Sequence, residues 1–200
     1  MPSAGWRSAT TERQEARLES LLNGLASDQP VPAGGSATAA VVAVAAALLE
    51  KAAKLSAAHW TGAAGARERA HALRVQAEEL LEEDSHAYMA FVEAVRGAKG
   101  TIGEARERAI GPAHSKTVDV PLAIVRSGAE AVDLAAQLAT HGNPNLRADA
   151  VVAATLAAAA AEAAASLMAV NLSAKQGDPR LAEARRLATA AGRRAADLRT

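Results

Sequence analysis

A carboxylate and a tyrosine stand four residues apart in the segment DSHAYMAFVEAVR (84–96). Residues at this spacing are neighbours on a helix surface, so Asp84 and Tyr88 are predicted to share one helical face, next to Phe91. A carboxylate beside an aromatic ring can move protons and hold a flat heterocycle. The same pair also suits an ordinary helix surface with a half-buried tyrosine, and both interpretations are open from these residues alone.

The same segment contains Glu83 and His86 in the Glu-x-x-His spacing, which places two metal ligands on one helical face. A metal centre of that kind needs a second such pair and further inward-facing glutamates. The sequence places one glutamate, Glu162, inside an apolar helix, and it has no cysteine. These residues therefore favour solvated charge on a helix, and no metal site is predicted.

Further polar residues accompany a long alanine-rich segment. Asn143 precedes it in HGNPN (141–145), Asp149 falls in its first turn, and Asn171 lies at its far end. Helix capping and dipole compensation explain the first two, and a hydrogen bond to the backbone explains the third. Asp149 and Asn171 are about 33 Å apart along a helix, so either they serve different purposes or a partner chain brings opposite ends together. Glu162 interrupts the alanine run and needs water or a partner, such as an arginine of another helix or subunit.

The segment PVPAGGSATAA (30–40) joins a loop to an apolar run. In one interpretation the glycines supply backbone freedom and Ser36 begins and caps a helix. In the other, the side-chain-free amides of Gly34 and Gly35 at a helix N-terminus bind a carboxylate or carbonyl oxygen. No lysine follows as in a Walker A loop. The segment alone does not decide between the two.

The overall composition excludes several classes of partner. Half of the 200 residues are apolar, and 22 basic residues balance 22 acidic ones. A chain without net charge has no global field to hold nucleic acid or an anionic membrane, so neither is expected as a partner. The absence of cysteine fits a reducing compartment and no secretory signal is visible, so a cytoplasmic location is expected. The segment from Ala150 to Val170 could cross a bilayer by length, but its three polar residues favour a buried core helix.

Hydrophobic periodicity and turn signals predict helices and no strands, so the fold class is all-α. A Thr-x-x-Gln capping box at Thr11 and Gln14 begins the first helix. The second is apolar on nearly every side, which predicts a place in the middle of a bundle. The predicted helices cover 11–26, 36–56, 66–96, a short 104–110, 117–140 with Pro121 in its first turn, 146–172, and 179–200.

The whole chain, 1–200, is predicted to form one compact multi-helix bundle with long alanine-rich central helices. An N-terminal helix within 1–28 and a C-terminal helix over 179–200 flank the core region, 32–172. Two or three helices without a polar face need more cover than a chain of this length supplies. A homodimer that buries them is therefore expected.

Several segments, taken in order, resemble one family: the cyclodeaminase domain of formimidoyltransferase-cyclodeaminase and the related bacterial methenyltetrahydrofolate cyclohydrolases. That family begins its first segment with Pro-Gly-Gly-Gly-Ser, whereas Ala33 stands here in place of the first glycine. The matching segments are PAGGSATAA (32–40), DSHAYMAFVEAVR (84–96), VPLAIV (120–125), HGNPNLRADAVVAA (141–154) and AVNL (169–172).

The resemblance implies an all-α homodimer that binds a tetrahydrofolate derivative and needs no metal and no cofactor beyond that substrate. Cyclohydrolysis opens 5,10-methenyltetrahydrofolate to 10-formyltetrahydrofolate, and cyclodeamination closes formimidoyltetrahydrofolate with loss of ammonia. A free-standing domain favours the cyclohydrolase; the cyclodeaminase and a non-catalytic helical scaffold are the alternatives. The implied catalytic carboxylates are Asp84 and, second, Asp149, and the implied substrate-binding residues are Gly34, Gly35, Ser36, Tyr88, Asn143 and Asn171.

Overall fold

The computed structural model describes residues 18–172 and 177–200, and within these ranges it contains helices and turns but no strand. The all-α prediction is confirmed. The capping box predicted at Thr11 and Gln14 lies outside the described residues. The helices are α1 (described over residues 18–25), α2 (Gly34–Lys54), α3 (Ala63–Gly97), α4 (Gly103–His141), α5 (Arg147–Asn171) and α6 (Pro179–Asp197), with a 3-10 turn (Pro144–Leu146) before α5.

Helices α2 and α5 run antiparallel and in contact. Gly34 at the start of α2 faces Leu167 near the end of α5, while Lys51 near the end of α2 pairs with Asp149 at the start of α5. The protein therefore has two distinct ends. One holds the N-terminus of α2 and the C-terminus of α5, and the other holds the opposite termini of the same two helices.

Small residues let α4 and α5 approach each other closely. A β-carbon added at Gly128 of α4 would lie 2.9 Å from the carbonyl oxygen of Ala157 on α5. The core forms two adjoining clusters along the bundle, with fully buried side chains such as Leu49 and Leu134 in one and Ile124 and Met168 in the other. The alanine content of the sequence thus serves close backbone packing.

The prediction of two separate helices over 104–110 and 117–140 is wrong, because α4 continues through both prolines, Pro112 and Pro121. Proline lacks the N–H that would bond to the carbonyl four residues earlier, which is why a break was expected. At Pro121 that carbonyl belongs to Thr117, and it accepts a hydrogen bond from the Asn171 side chain at 2.7 Å instead. A donor from α5 thus replaces the missing helical bond.

The predicted start of α2 at Ser36 is two residues late, and the interpretation in which Ser36 caps the helix is wrong. The helix begins at Gly34, its N-cap residue is Ala33, and no side chain caps it from within the loop. Nor is α2 enclosed on every side, since the side chain of Val44 is 55% exposed. On the neighbouring helix α5, Val152 is 50% exposed.

Two of the described helical spans are long and apolar enough to cross a membrane, Gly34–Lys54 and Pro144–Asn171. Half of each apolar window is buried inside the bundle. The segment from Ala150 to Val170 packs into the core through residues such as Ala157 and Met168, as its composition predicted.

Candidate functional site

A cavity of about 660 Å³ opens at the end of the protein where α5 finishes. This volume falls within the range of small-molecule sites. Helix α3 supplies an apolar and aromatic wall, α4 supplies charged and polar groups, and α5 closes the space with its last residues. The lining residues are Tyr88, Phe91, Val95, Gly103, Arg106, Glu107, Ile110, Gly111, His114, Thr117, Val170 and Asn171.

Asp84 stands one helical turn before Tyr88 on α3, at the point where the N-terminus of α2 meets that helix. The Ser36 hydroxyl donates a hydrogen bond to Asp84 Oδ2 at 3.0 Å. A β-carbon at Gly35 would collide with the same carboxylate, so the contact requires glycine there. The Asp84 carboxylate is therefore held against an uncapped helix N-terminus, where a negative charge is favourable.

Burial raises the pKa of the Asp84 carboxyl above its ordinary value. Hydrogen bonds from the Ser36 hydroxyl and the Ser36 backbone act in the opposite direction and offset part of that effect. A half-buried carboxylate with a raised pKa, beside a cavity, is a common arrangement at sites of proton transfer. Both the hydroxyl and the backbone N–H of Ser36 donate to Asp84. Gly34, which is exposed, is therefore the residue of the Gly-Gly-Ser segment that a ligand can reach.

The aromatic side chains that could stack on a flat ring do not all lie together. Tyr88 and Phe91 line the cavity. Trp60 lies at the opposite end, with its ring centroid 5.7 Å from that of His141. Within the cavity, the ring of Phe91 lies 5.7 Å from that of His114 at an interplanar angle of 54°.

Asn171 links α5 to α4 through two hydrogen bonds that run in opposite directions. Its side-chain Nδ2 donates to the Thr117 carbonyl at 2.7 Å. Its backbone carbonyl, one of those left without a helical donor at the end of α5, lies 2.9 Å from His114 Nε2. One of the two Nδ2 hydrogens is thus used, and the Oδ1 atom is the acceptor that the side chain can offer to a ligand.

Asn143 and Asp149 lie at the other end of the protein. Asn143 Oδ1 accepts from the Asn145 backbone N–H at 3.0 Å and caps the 3-10 turn, as expected from its place beside a proline. Asp149 lies in the first turn of α5 and forms an ion pair of 3.4 Å with Lys51. The structure therefore brings Gly34, Gly35, Ser36, Asp84, Tyr88 and Asn171 to one end and separates Asn143 and Asp149 from them.

A family model described as formiminotransferase-cyclodeaminase matches residues 17–190 of this sequence. The chain belongs to this family. Among curated relatives, the methenyltetrahydrofolate cyclohydrolase of Methylorubrum extorquens is 34% identical over 162 residues, which cover 77% of this chain and 78% of the relative.

Among solved structures, the formiminotetrahydrofolate cyclodeaminase of Thermotoga maritima superposes with a TM-score of 0.75. The superposition covers 98% of this chain and 97% of that one, at 20% sequence identity. At that identity the likeness establishes the fold. The formiminotransferase-cyclodeaminase match spans both ends of the bundle, so the two separated groups of polar residues lie within the family region.

Sequence reasoning missed His114 and Thr117 because it assigned residues 111–116 to a break between two helices. A proline inside a helix leaves the carbonyl four residues before it without a donor. Once α4 is continuous, the position of Pro121 identifies Thr117 as an acceptor in need of a side chain. No comparable signal exists for His114, whose role depends on where α5 ends.

Glu162, the carboxylate in the middle of α5, is exposed and lines a surface groove of about 420 Å³ together with Arg185 and Arg193 of α6. Glu162 thus lies at the surface near arginines of another helix, and its pairing with one of them stays a prediction. No group of three or more His, Asp or Glu side chains in 18–172 and 177–200 has a geometry that could hold a metal ion.

Proposed function

We propose that this protein is a methenyltetrahydrofolate cyclohydrolase, which adds water to 5,10-methenyltetrahydrofolate and opens it to 10-formyltetrahydrofolate. The observation that carries the proposal is the cavity beside Asp84, which collects the aromatic wall of α3 and the end of α5 at one place. The choice of reaction is supported by the curated cyclohydrolase relative, which shares 34% identity.

The substrate brings its own electrophile, because the carbon bridging N5 and N10 belongs to a cationic amidinium. The protein must hold the flat ring system, balance the charge and handle protons. We assign the ring system to the wall formed by Tyr88 and Phe91. Asp84 is assigned to charge balance or proton handling, and Asn171 Oδ1 to a donor on the ring. None of these steps calls for a metal or a further cofactor.

Cyclodeamination of formimidoyltetrahydrofolate is the second candidate, favoured by the description of the family model. Its chemistry uses the same cavity: N10 attacks the formimidoyl carbon, and the amino group leaves as ammonia after protonation. A carboxylate with a raised pKa, such as that of Asp84, suits the protonation of a leaving amine.

The two reactions are separated by assay. Purified protein, treated with a chelator, is mixed with 5,10-methenyltetrahydrofolate, and the loss of the methenyl chromophore is followed against the uncatalysed background. Acceleration supports the cyclohydrolase without a metal. Ammonia release from 5-formimidoyltetrahydrofolate supports the cyclodeaminase. If the protein shows neither activity, the helical scaffold is the interpretation that remains.

We further propose that the protein acts as a homodimer in the cytoplasm. The neighbouring helices α2 and α5 each present an exposed valine, Val44 and Val152, which the described residues of one copy leave uncovered. A two-fold, antiparallel pairing through these faces buries both. It also brings the Asn143 and Asp149 end of one protomer toward the cavity end of the other, which gives Asp149 access to the reaction.

A further inference from the structure

His114 lies on α4 with its ring against Phe91 and its Nε2 atom 2.9 Å from the backbone carbonyl of Asn171. It lines the cavity that holds the proposed site. Neither a family segment nor a spacing in the sequence pointed to this residue. Its two ring nitrogens have different surroundings, and that difference defines what the side chain can do.

The hydrogen bond to Asn171 fixes where the proton of a neutral imidazole sits. A carbonyl oxygen only accepts hydrogen bonds, so the Nε2 atom must carry the hydrogen. The Nδ1 atom then has a free lone pair. Within 18–172 and 177–200, Nδ1 has no hydrogen-bond partner. Every buried side-chain nitrogen or oxygen in these ranges has one, so Nδ1 is not buried and is accessible from the open space beside the ring.

Among the groups that line this cavity, His114 offers a basic nitrogen, Nδ1, with a free lone pair and no hydrogen-bond partner in the described residues. Asp84 lies outside the lining and is engaged by Ser36. The Arg106 guanidinium offers only donors, and the Tyr88 phenol offers an O–H rather than a basic nitrogen. Glu107 is exposed. The end of α5 adds only Val170 and Asn171, neither of which titrates.

We propose that His114 is the general base of the hydrolysis, with Nδ1 taking a proton from the attacking water; this rests on the cyclohydrolase function proposed above. The water oxygen bonds to the bridge carbon, the π electron pair moves to N5, and one water proton passes to Nδ1. The imidazolium then returns a proton to N5 as the carbon–N5 bond breaks with its electron pair going to N5. The hydroxyl proton leaves to solvent as the formyl C=O forms, so one proton is released overall.

His114→Gln and His114→Ala separate this role from a positioning one. Glutamine keeps an N–H that can donate to the Asn171 carbonyl but offers no basic nitrogen, whereas alanine removes both. If His114 is the base, both variants lose about 100-fold or more in kcat, and the acid limb of the kcat/KM profile disappears. Added imidazole restores part of the rate of His114→Ala. His86→Gln, at an exposed position of α3, serves as the matched control and keeps the wild-type rate.

The outcomes are distinguishable. His114→Gln at the wild-type rate beside an impaired His114→Ala would make His114 a positioning residue and overturn the proposal. Wild-type protein that does not accelerate loss of the methenyl chromophore overturns the proposed function, and this role with it. ¹⁵N NMR of histidine-labelled wild-type protein tests the tautomer without any variant: a protonated Nδ1 on neutral His114 overturns the proposal, and a protonated Nε2 supports it.

Discussion

At the scale of single residues, Asp84 serves the fold and the proposed chemistry at once. Its carboxylate binds Ser36 at the start of α2, a helix that has no cap of its own. The contact leaves no room for a side chain at Gly35. Burial nevertheless raises the pKa of Asp84, which means that the ionised carboxylate is less favourable in the folded protein than in water. A residue kept for stability alone would not need that charge.

Asp84→Asn tests this conflict between stability and function. Because the folded-state pKa of Asp84 is raised, its contribution to the free energy of unfolding is full at low pH and is lost as pH rises through that pKa. The amide of asparagine does not ionise, so the variant does not lose this stability as pH rises. We expect it to melt at or above the wild-type temperature at pH 8, and the difference in melting temperature should shrink on acidification.

Turnover of methenyltetrahydrofolate by Asp84→Asn is expected to fall by about 100-fold or more. Glu82→Gln is the matched control, an exposed carboxylate two residues away on the same helix, and should change neither property. Calorimetry at several pH values and the chromophore assay provide the measurements. Full turnover by a folded Asp84→Asn protein would remove Asp84 from the mechanism.

At the scale of helices, the alanine periodicity and turn residues were enough to predict α2, α3, α5 and α6 to within a few residues. They failed at α4. The helical hydrogen bond that Pro121 removes is replaced by one from Asn171, fifty residues further along the chain. Local sequence cannot reveal a donor supplied by another helix. The same limit applies to the candidate site: Asp84 and Tyr88 were predictable from spacing, whereas His114 required the position of the end of α5.

The dependence of α4 on α5 can be measured by a double-mutant cycle. Asn171→Ala leaves the Thr117 carbonyl without its donor and should cost about 1–3 kcal/mol of unfolding free energy. Pro121→Ala restores an N–H that can bond to Thr117 within the helix, so Asn171→Ala should cost less in that background. Urea denaturation gives the coupling energy. The effects of Pro112→Ala and Asn171→Ala on the free energy of unfolding should be additive, because Asn171 does not replace the bond lost at Pro112. If the effects of Pro121→Ala and Asn171→Ala were also additive, this account of α4 would be wrong.

The close approach of α4 and α5 predicts opposite effects for two chemically identical changes. A β-carbon at Gly192 of α6 would meet nothing within 4 Å, so Gly192→Ala should gain about 0.5–1 kcal/mol from helix propensity. Gly128→Ala would press on the Ala157 backbone and should lose about 1–3 kcal/mol. Thermal melting of the two variants is the measurement. Equal stabilisation of both would show that the two helices separate at no cost.

At the scale of the whole molecule, the candidate residues fall at two ends of one bundle. The sequence indicated this already, since helix length keeps Asp149 and Asn171 apart. The structure adds that, within the described residues, Asp149 pairs with Lys51, and that its side chain is 36% exposed at the end of the bundle opposite the cavity. A single protomer therefore has no route from Asp149 to the proposed site, and the antiparallel dimer proposed above would provide one.

Complementation between inactive variants tests that arrangement. If each site takes Asp84 from one protomer and Asp149 from the other, a hybrid of Asp84→Asn and Asp149→Asn has one site with both changes and one with neither. Random exchange of subunits makes half the dimers hybrid, so about a quarter of the wild-type activity should return on mixing.

Val152→Glu, introduced into both variants, places charge on the exposed face of α5 and should abolish the recovery and yield monomers in sedimentation velocity. Val75→Glu, on the outer side of α3, should allow it. Mixtures of dimers that exchange subunits yet stay inactive would place Asp149 outside the site.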